Sequence, residues 1–105
     1  MPQVTPARSF CAMRQDRHHE VRLHVSGEID YGSVLTFERA LLALDEAARQ
    51  RPITLDLSRL EFIDVNGWRA VKTARRRAQR RGAELTVVMP IGPAARVFDL
   101  LGPAG

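Results

Sequence analysis

The sequence predicts a two-layer α/β domain in which helices lie mainly on one face of a mixed four-stranded sheet. Three observations lead to this class. The chain has 105 residues, 45% of them hydrophobic and 27% charged, which is the profile of one small globular domain over residues 1–105. Apolar residues recur with a period of two in four segments and 3.6 in the segments between them, giving the order β-β-α-β-α-β-α. Each strand alternates between apolar and polar residues, so only one face of the sheet is expected to be covered.

The first two strands are predicted to form an antiparallel hairpin. They cover Ser9–Gln15 and Glu20–Ser26 and are joined by the polar loop 16–19, a separation suited to a hairpin. In the second strand the apolar residues Val21, Leu23 and Val25 alternate with polar ones. One face of this strand is therefore expected in the core and the other in a wetter environment.

The middle of the chain predicts a parallel crossover. Between Gly32 and Gln50 the period becomes helical, with an apolar stripe at Val34, Phe37, Leu41, Leu44 and Ala48. Pro52 prevents the helix from continuing, and Ile53, Leu55 and Leu57 then alternate as a third strand. A strand, a helix and a strand of these lengths form a right-handed crossover with parallel strands.

The last third of the chain predicts a second helix, a fourth strand and a third helix. The second helix runs from Asn66 to about Arg81, and its stripe of small residues, Val71, Ala74 and Ala78, predicts close packing on the sheet. Gly82 ends it, and the fourth strand carries Leu85, Val87 and Met89. Pro93 begins the third helix and Gly102-Pro103 ends it. The predicted core joins one strand face (Val21, Leu23, Val25, Ile53, Leu55, Leu57, Leu85, Val87) to the helical residues Val34, Phe37, Leu41, Leu44, Val71 and Ala74.

Several classes of protein are not expected. No apolar stretch approaches the ~20 residues of a membrane-spanning helix, and the first residues have no signal-like apolar region, so a cytoplasmic protein without membrane insertion is expected. His18, His19 and His24 have no second ligand at useful spacing, so we expect no metal and no cofactor. The lone Cys11 cannot form an internal disulfide and is expected to be a core thiol.

The positive charge is concentrated in one segment. The formal charge is +4, and seven basic residues lie between Arg69 and Arg81, while the rest of the chain carries nine basic and twelve acidic residues, a net charge of −3. Arg69, Lys72, Arg76 and Arg80 recur three or four residues apart and are expected to form a basic face in water. This face suits an acidic protein surface; nucleic acid is the alternative, although no aromatic residues are interleaved to stack bases.

Functional residues of such sheets gather beyond the carboxyl ends of parallel strands, where this chain places Asp30 and Asp64. An enzymatic interpretation makes them a magnesium site or an acid–base pair, yet neither loop contains a nucleophile apart from Ser33. The structural interpretation is that Asp64 and Asn66 cap the following helix. We therefore expect a non-catalytic domain.

Three segments carry a family resemblance: Val25-Ser26-Gly27-Glu28-Ile29-Asp30, then residues 55–67 (LDLSRLEFIDVNG), then Arg81-Gly82-Ala83-Glu84-Leu85. They resemble the STAS domain of sulfate transporters and anti-sigma factor antagonists, over about residues 20–102. The resemblance implies a bacterial signalling and transcription-regulating domain that binds an anti-sigma factor or a kinase-like protein. In stand-alone members, phosphorylation of a Ser or Thr at the start of the second helix releases that partner.

The resemblance places the phospho-acceptor position at Asn66, which has no hydroxyl group. It therefore implies binding without phosphorylation at the usual site, and Ser58 and Thr73 are poorly placed to replace it. The expected partner-binding residues are Asp30, Asp64, Asn66, Gly67, Trp68 and Arg69. Trp68 follows a tight helix start directly, which favours an exposed anchor; a packing residue in the core or at its rim is the alternative. The alternatives are an accessory subunit of a transporter ATPase in lipid transport and a nucleic-acid binder. Relatives continue beyond the position of Pro103-Ala104-Gly105, so a sheet edge or apolar face is expected to be open to a partner there.

Overall fold

The computed structural model describes residues 10–92, 95–96 and 100. The elements are the strands β1 (Cys11–Asp16), β2 (Val21–Ile29), β3 (Ile53–Ile63) and β4 (Leu85–Val88) and the helices α1 (Val34–Ala48) and α2 (Val65–Arg80). The sheet order is β1-β2-β3-β4, with β1 antiparallel to β2 and the other pairs parallel. The predicted mixed four-stranded sheet and the order β-β-α-β-α-β are confirmed. Of the predicted third helix, only residues 95–96 and 100 are described, and they are helical.

β2 and β3 extend further than their alternation indicates. β2 continues to Ile29 and β3 to Ile63, and the register between them shifts at 24/26 and again at 27/28. Beyond Leu57 the buried residues of β3 are Leu60 and Ile63, which breaks the period of two. Gly27 accommodates the irregular pairing with a φ of 87°, a conformation that favours glycine. As a result the two strands end together, with Ile29 paired to Ile63.

The core lies between one face of the sheet and the two helices. The predicted strand residues Val21, Leu23, Val25, Ile53, Leu55, Leu57 and Leu85 are buried, and so are the helical residues Phe37, Leu41, Leu44, Val71 and Ala74. Val34 and Val87 differ from the prediction, because they are only partly buried at the margin of this cluster. Phe10, ahead of β1, extends the cluster by packing edge-on against Phe37 with the ring centres 6.1 Å apart.

Cys11 is exposed, so the prediction of a core thiol is wrong. The pairing of β1 with β2 explains why: Cys11 lies opposite Ser26 and Met13 opposite His24, which are residues of the polar face of β2. Since side chains opposite each other in an antiparallel pair share a face, Cys11 belongs to the face opposite α1 and α2. The habit of cysteine to be buried is overridden here by the register of the strand.

α1 and α2 lie side by side on the covered face. Near their carboxyl ends they are joined by an ion pair between the Arg81 guanidinium and the Asp45 carboxylate, with Nη2 and Oδ1 2.7 Å apart. Nε of Arg81 donates a hydrogen bond to the same oxygen at 2.8 Å. This charge-assisted hydrogen bond fixes the two helix ends relative to each other. None of the described helices is long and apolar enough to cross a membrane.

We expect Leu55→Ala to lower the free energy of unfolding by about 2–5 kcal/mol, because Leu55 is fully buried and its loss leaves a cavity under both helices. The same change at Leu42, which is 47% exposed on α1, is the matched control and should cost well under 1 kcal/mol. Urea unfolding followed by circular dichroism measures both. Equal losses in the two variants would contradict the register described for β3.

Candidate functional site

The carboxyl ends of β2 and β3 meet at one edge of the sheet. Ile29 and Ile63 are paired there, and the amide of Asp64 donates to the carbonyl oxygen of Ile29 at 2.9 Å. Beyond these residues each strand turns into a helix, so the loop that begins at Asp30 and the start of α2 lie next to each other. The sequence correctly predicts that Asp30 and Asp64 come to the same edge.

Asp30 closes the turn between β2 and α1. Its carboxylate accepts a hydrogen bond from the amide of Gly32 at 3.0 Å, and its own amide donates to Oγ of Ser33 at 3.0 Å. Oγ of Ser33 in turn donates to the carbonyl oxygen of Glu28 at 2.8 Å. Because these groups bind one another, Ser33 is held as part of the turn and is not poised as a nucleophile.

Asp64 is the N-cap of α2, as predicted. Its Oδ1 accepts a hydrogen bond from the amide of Gly67 at 2.8 Å, and its carbonyl oxygen accepts from the amide of Trp68 at 3.0 Å. Asn66 is not a cap, contrary to prediction. It is the second residue of the helix and is exposed. The Asp64 carboxylate already binds the free amide of Gly67 that a cap would satisfy.

Gly67 lies beneath the surface and sets how closely α2 approaches the sheet. A Cβ atom at this position would lie 2.6 Å from Cγ2 of Ile29 and 2.8 Å from Cγ1 of Ile63. Both distances are far shorter than a van der Waals contact, so only glycine fits without displacing the ends of the two strands. Gly67 therefore supports the site from below.

Trp68 is buried, with only 2% of its surface exposed, so it is a core packing residue and the interpretation as an exposed aromatic anchor is wrong. The close approach at Gly67 explains the difference, because it brings the next residue of the helix down into the core cluster. Burying a large indole ring is also strongly favourable. The position in the sequence, directly after a helix start, gave no indication of the side on which this ring would lie.

The exposed apolar residues of this edge are Tyr31, which is 92% exposed, and Val65, which is 46% exposed. They follow the paired residues Ile29 and Ile63 by two positions each, so they lie at the same edge of the sheet. Sequence analysis missed both. The available signal was a tyrosine standing alone in the polar turn Asp30-Tyr31-Gly32-Ser33.

We call the group at this edge the α2-start surface; it consists of the half-buried Asp64 and the exposed residues Asp30, Tyr31, Val65, Asn66 and Arg69. It combines two carboxylates, an amide, a guanidinium and two apolar side chains, a composition suited to contact with a protein. The part of the chain that the structure describes contains no group of three His, Cys, Asp or Glu residues able to hold a metal ion.

The basic face of α2 points mainly to water, in agreement with the sequence. Arg69, Arg76 and Arg80 are exposed and Lys72 is half-buried. Of the seven basic residues between 69 and 81, only Arg81 has an ion-pair partner within the described ranges. Arg69 also lines a groove between α1 and α2 together with Arg77, so the basic residues do not form a single stripe.

The face of the sheet opposite α1 and α2 carries a network centred on Asp56. Its Oδ2 lies 3.7 Å from Nη1 of Arg22 and 3.4 Å from Nδ1 of His24, and Oγ of Ser58 donates to its Oδ1 at 2.6 Å. Burial raises the pKa of Asp56, but the hydrogen bonds from Ser58 and the charges of His24 and Arg22 outweigh it, so the pKa lies below its ordinary value of 3.8. Asp56 is thus held by the hydrogen bonds from Ser58 and by two ion pairs, which is typical of a structural network.

The fold is that of a small α/β domain with a candidate contact surface where parallel strands meet the start of a helix. The sequence matches the model of the STAS domain over residues 12–104. The chain belongs to the STAS domain family, as its motifs indicate.

Solved structures support this assignment. An anti-sigma factor antagonist from Mycobacterium paratuberculosis is 27% identical and superposes with a TM-score of 0.72 over 85% of this chain and 74% of that one. The STAS domain of an antisigma-factor antagonist from Rhodobacter sphaeroides is 26% identical, with a TM-score of 0.61 over 75% and 85% of the two chains. SpoIIAA of Bacillus, solved in its phosphorylated form, is 22% identical, with a TM-score of 0.63 over 90% of this chain and 84% of that one. At this identity the comparison supports the fold only.

We expect Gly67→Ala to destabilise the domain by about 1–3 kcal/mol, because the added methyl group must displace Ile29 and Ile63. Gly32→Ala is the control, since its Cβ would meet the Asp30 carboxylate at an ordinary 3.5 Å. Thermal unfolding followed by circular dichroism compares the two. A Gly67→Ala protein as stable as Gly32→Ala would contradict the close packing described here.

Proposed function

We propose that this protein is a non-catalytic cytoplasmic regulator that binds an anti-sigma factor of the kinase-like type through the α2-start surface. The observation that carries the proposal is the position of Asn66, exposed in the first turn of α2 and flanked by Asp64, Val65 and Arg69. Tyr31 adds an aromatic side chain, of the kind that often dominates binding energy at protein interfaces. Trp68 is not part of this contact surface.

The first turn of α2 has no group that a kinase can modify. Asn66 is polar and neutral, so it preserves the surface that an unmodified serine would present. A phosphate at this position would add a charge of about −1.5 to −2 beside Asp64, whose carboxylate already occupies the amide of Gly67. We therefore propose that the protein stays in its binding-competent state and that partner abundance or competition controls it.

Ser58, Thr73 and Ser33 are poorly placed to replace the missing hydroxyl group. Oγ of Ser58 donates to Asp56 on the face of the sheet opposite α1 and α2. Thr73 lies two helical turns beyond Asn66 on α2. Ser33 is nearer, but its hydroxyl donates to the carbonyl oxygen of Glu28 within the turn.

The charge of α2 favours an acidic partner surface. Six basic residues of this helix have no ion-pair partner among the residues that the structure describes, and the helix contains no acidic residue. Nucleic acid is a second candidate on the same observation, but the single aromatic residue of α2, Trp68, is buried and cannot stack on a base. An acidic surface on a transporter ATPase would fit as well, and the charge-reversal experiment below separates a protein partner from nucleic acid.

We expect the wild-type protein to remain unmodified when it is incubated with its kinase-like partner and ATP, because Asn66 has no hydroxyl group. Asn66→Ser should gain one phosphate and release the partner. Intact-mass measurement and size-exclusion chromatography of the complex give both readouts, and Asn66→Ala controls for loss of the amide. Phosphate on the wild type within residues 58–73, or its release from the partner on adding ATP, would overturn the proposal.

We expect the double variant Arg76→Glu, Arg80→Glu to associate with the partner at least about tenfold more slowly at low salt, because both side chains are exposed on the basic face. The difference should shrink as salt rises. The control is Arg14→Glu combined with Arg59→Glu, which makes the same change in net charge on strands β1 and β3 instead of on α2. Stopped-flow or biosensor rates measure the effect; unchanged protein association with loss of DNA binding would favour nucleic acid instead.

A further inference from the structure

We propose that the groove between α1 and α2 binds an acidic segment of the protein partner, which inserts an apolar side chain between Arg69 and Arg77. This inference rests on the proposed function, because the segment would belong to the protein that covers the α2-start surface. It adds a second point of contact and states the chemistry that recognises it.

The groove has an apolar floor and a basic wall. Its volume is about 360 Å³, and Val34, Leu41, Leu42 and Ala70 form the floor. Leu42 is 47% exposed in this groove although it is a large aliphatic residue. The floor can therefore accept an apolar side chain and remove it from water.

The wall on α2 carries two cations two helical turns apart. Arg69 and Arg77 both line the groove and are separated by eight residues, which is about 12 Å along a helix. Nη1 of Arg77 is buried and has no hydrogen-bond partner among the residues that the structure describes. Arg77 lines the groove, so a carboxylate placed there would meet the positive charge of its guanidinium group.

The remaining polar residues of the groove do not neutralise these cations. Glu38 on α1 is the one acidic residue of the lining, and it forms no ion pair with Arg69 or Arg77 within the described part of the chain. The lining thus keeps an excess positive charge next to an apolar floor. An acidic peptide with an apolar residue fits this combination, whereas a nucleic acid backbone offers nothing for the floor.

The groove is continuous with the α2-start surface, because Asn66 and Arg69 belong to both. A single partner can therefore cover the start of α2 and extend a segment along the groove. The spacing of the arginines predicts two carboxylates about 12 Å apart on that segment, as in a helix with acidic residues seven or eight positions apart.

The first test uses a synthetic helical peptide with two glutamates eight positions apart and leucines between them on the same face. We expect its addition to the ¹⁵N-labelled full chain to shift the amide signals of the groove, from Val34 to Leu42 and from Asn66 to Arg77. A peptide with lysines in place of the glutamates should not bind. Shifts confined to the outward residues Arg76 and Arg80, or equal binding of the lysine peptide, would overturn the proposal.

Two variants of adjacent residues separate the groove from the general charge of α2. Arg77→Glu should weaken binding of the glutamate peptide at least about tenfold, since it removes one of the two groove cations and repels the carboxylate. Arg76→Glu makes the same change in net charge but on the exposed side, and should weaken it less than about threefold. Leu42→Asp, at an exposed position, blocks the floor without touching the core and should also abolish binding. Equal effects of Arg77→Glu and Arg76→Glu would reject the groove.

The full partner then distinguishes this inference from the proposed function. If Asn66→Trp abolishes the complex and Arg77→Glu accelerates its dissociation, both stand. If Asn66→Trp abolishes the complex but Arg77→Glu and Leu42→Asp leave it unchanged, the groove is rejected and the proposed function stands. If all three variants bind as the wild type does, the proposed function fails. Displacement of the glutamate peptide from the groove by a DNA duplex would show that the groove binds nucleic acid and would overturn the proposal.

Discussion

The contact of Gly67 with Ile29 and Ile63 governs the geometry of this domain. At this point α2 packs on the ends of two parallel strands. A Cβ atom at position 67 would lie 2.6 Å from Ile29 and 2.8 Å from Ile63. The cap at Asp64, the burial of Trp68 and the exposure of Asn66 all depend on that approach, because each is set by how closely and at what rotation the helix begins. A larger residue would lift the first turn and change the candidate contact surface and the core together.

The elements that follow from periodicity were predictable. The alternation of Ile53, Leu55 and Leu57 and the small-residue stripe of α2 place their side chains correctly, because the choice between core and water is repeated several times within each element. The motif at residues 55–67 correctly indicates the family and the edge of the sheet that holds the candidate site. The ends of β2 and β3 were not predictable to the same degree, since a bulged register breaks the period on which the prediction rests.

Single residues were harder to predict than elements. The exposure of Cys11 depends on the register in which β1 pairs with β2, and the burial of Trp68 depends on how closely α2 packs on the sheet. Neither property is encoded within a few neighbouring residues. Tyr31 and Val65 illustrate the same difficulty in the opposite direction, since they look like ordinary apolar residues until the paired ends of β2 and β3 place them at one exposed edge. The unpaired Nη1 of Arg77 likewise becomes visible only when α1 lies beside α2.

α2 is fixed near both of its ends. Its start is bonded to the end of β2 through the amide of Asp64 and the carbonyl oxygen of Ile29, and its carboxyl end is joined to α1 by the ion pair between Arg81 and Asp45. A cleft fixed in this way is preorganised, so a segment that enters it loses its own conformational entropy but imposes little additional ordering on the domain. Sequence changes in such a segment should then alter the lifetime of a complex far more than its rate of formation.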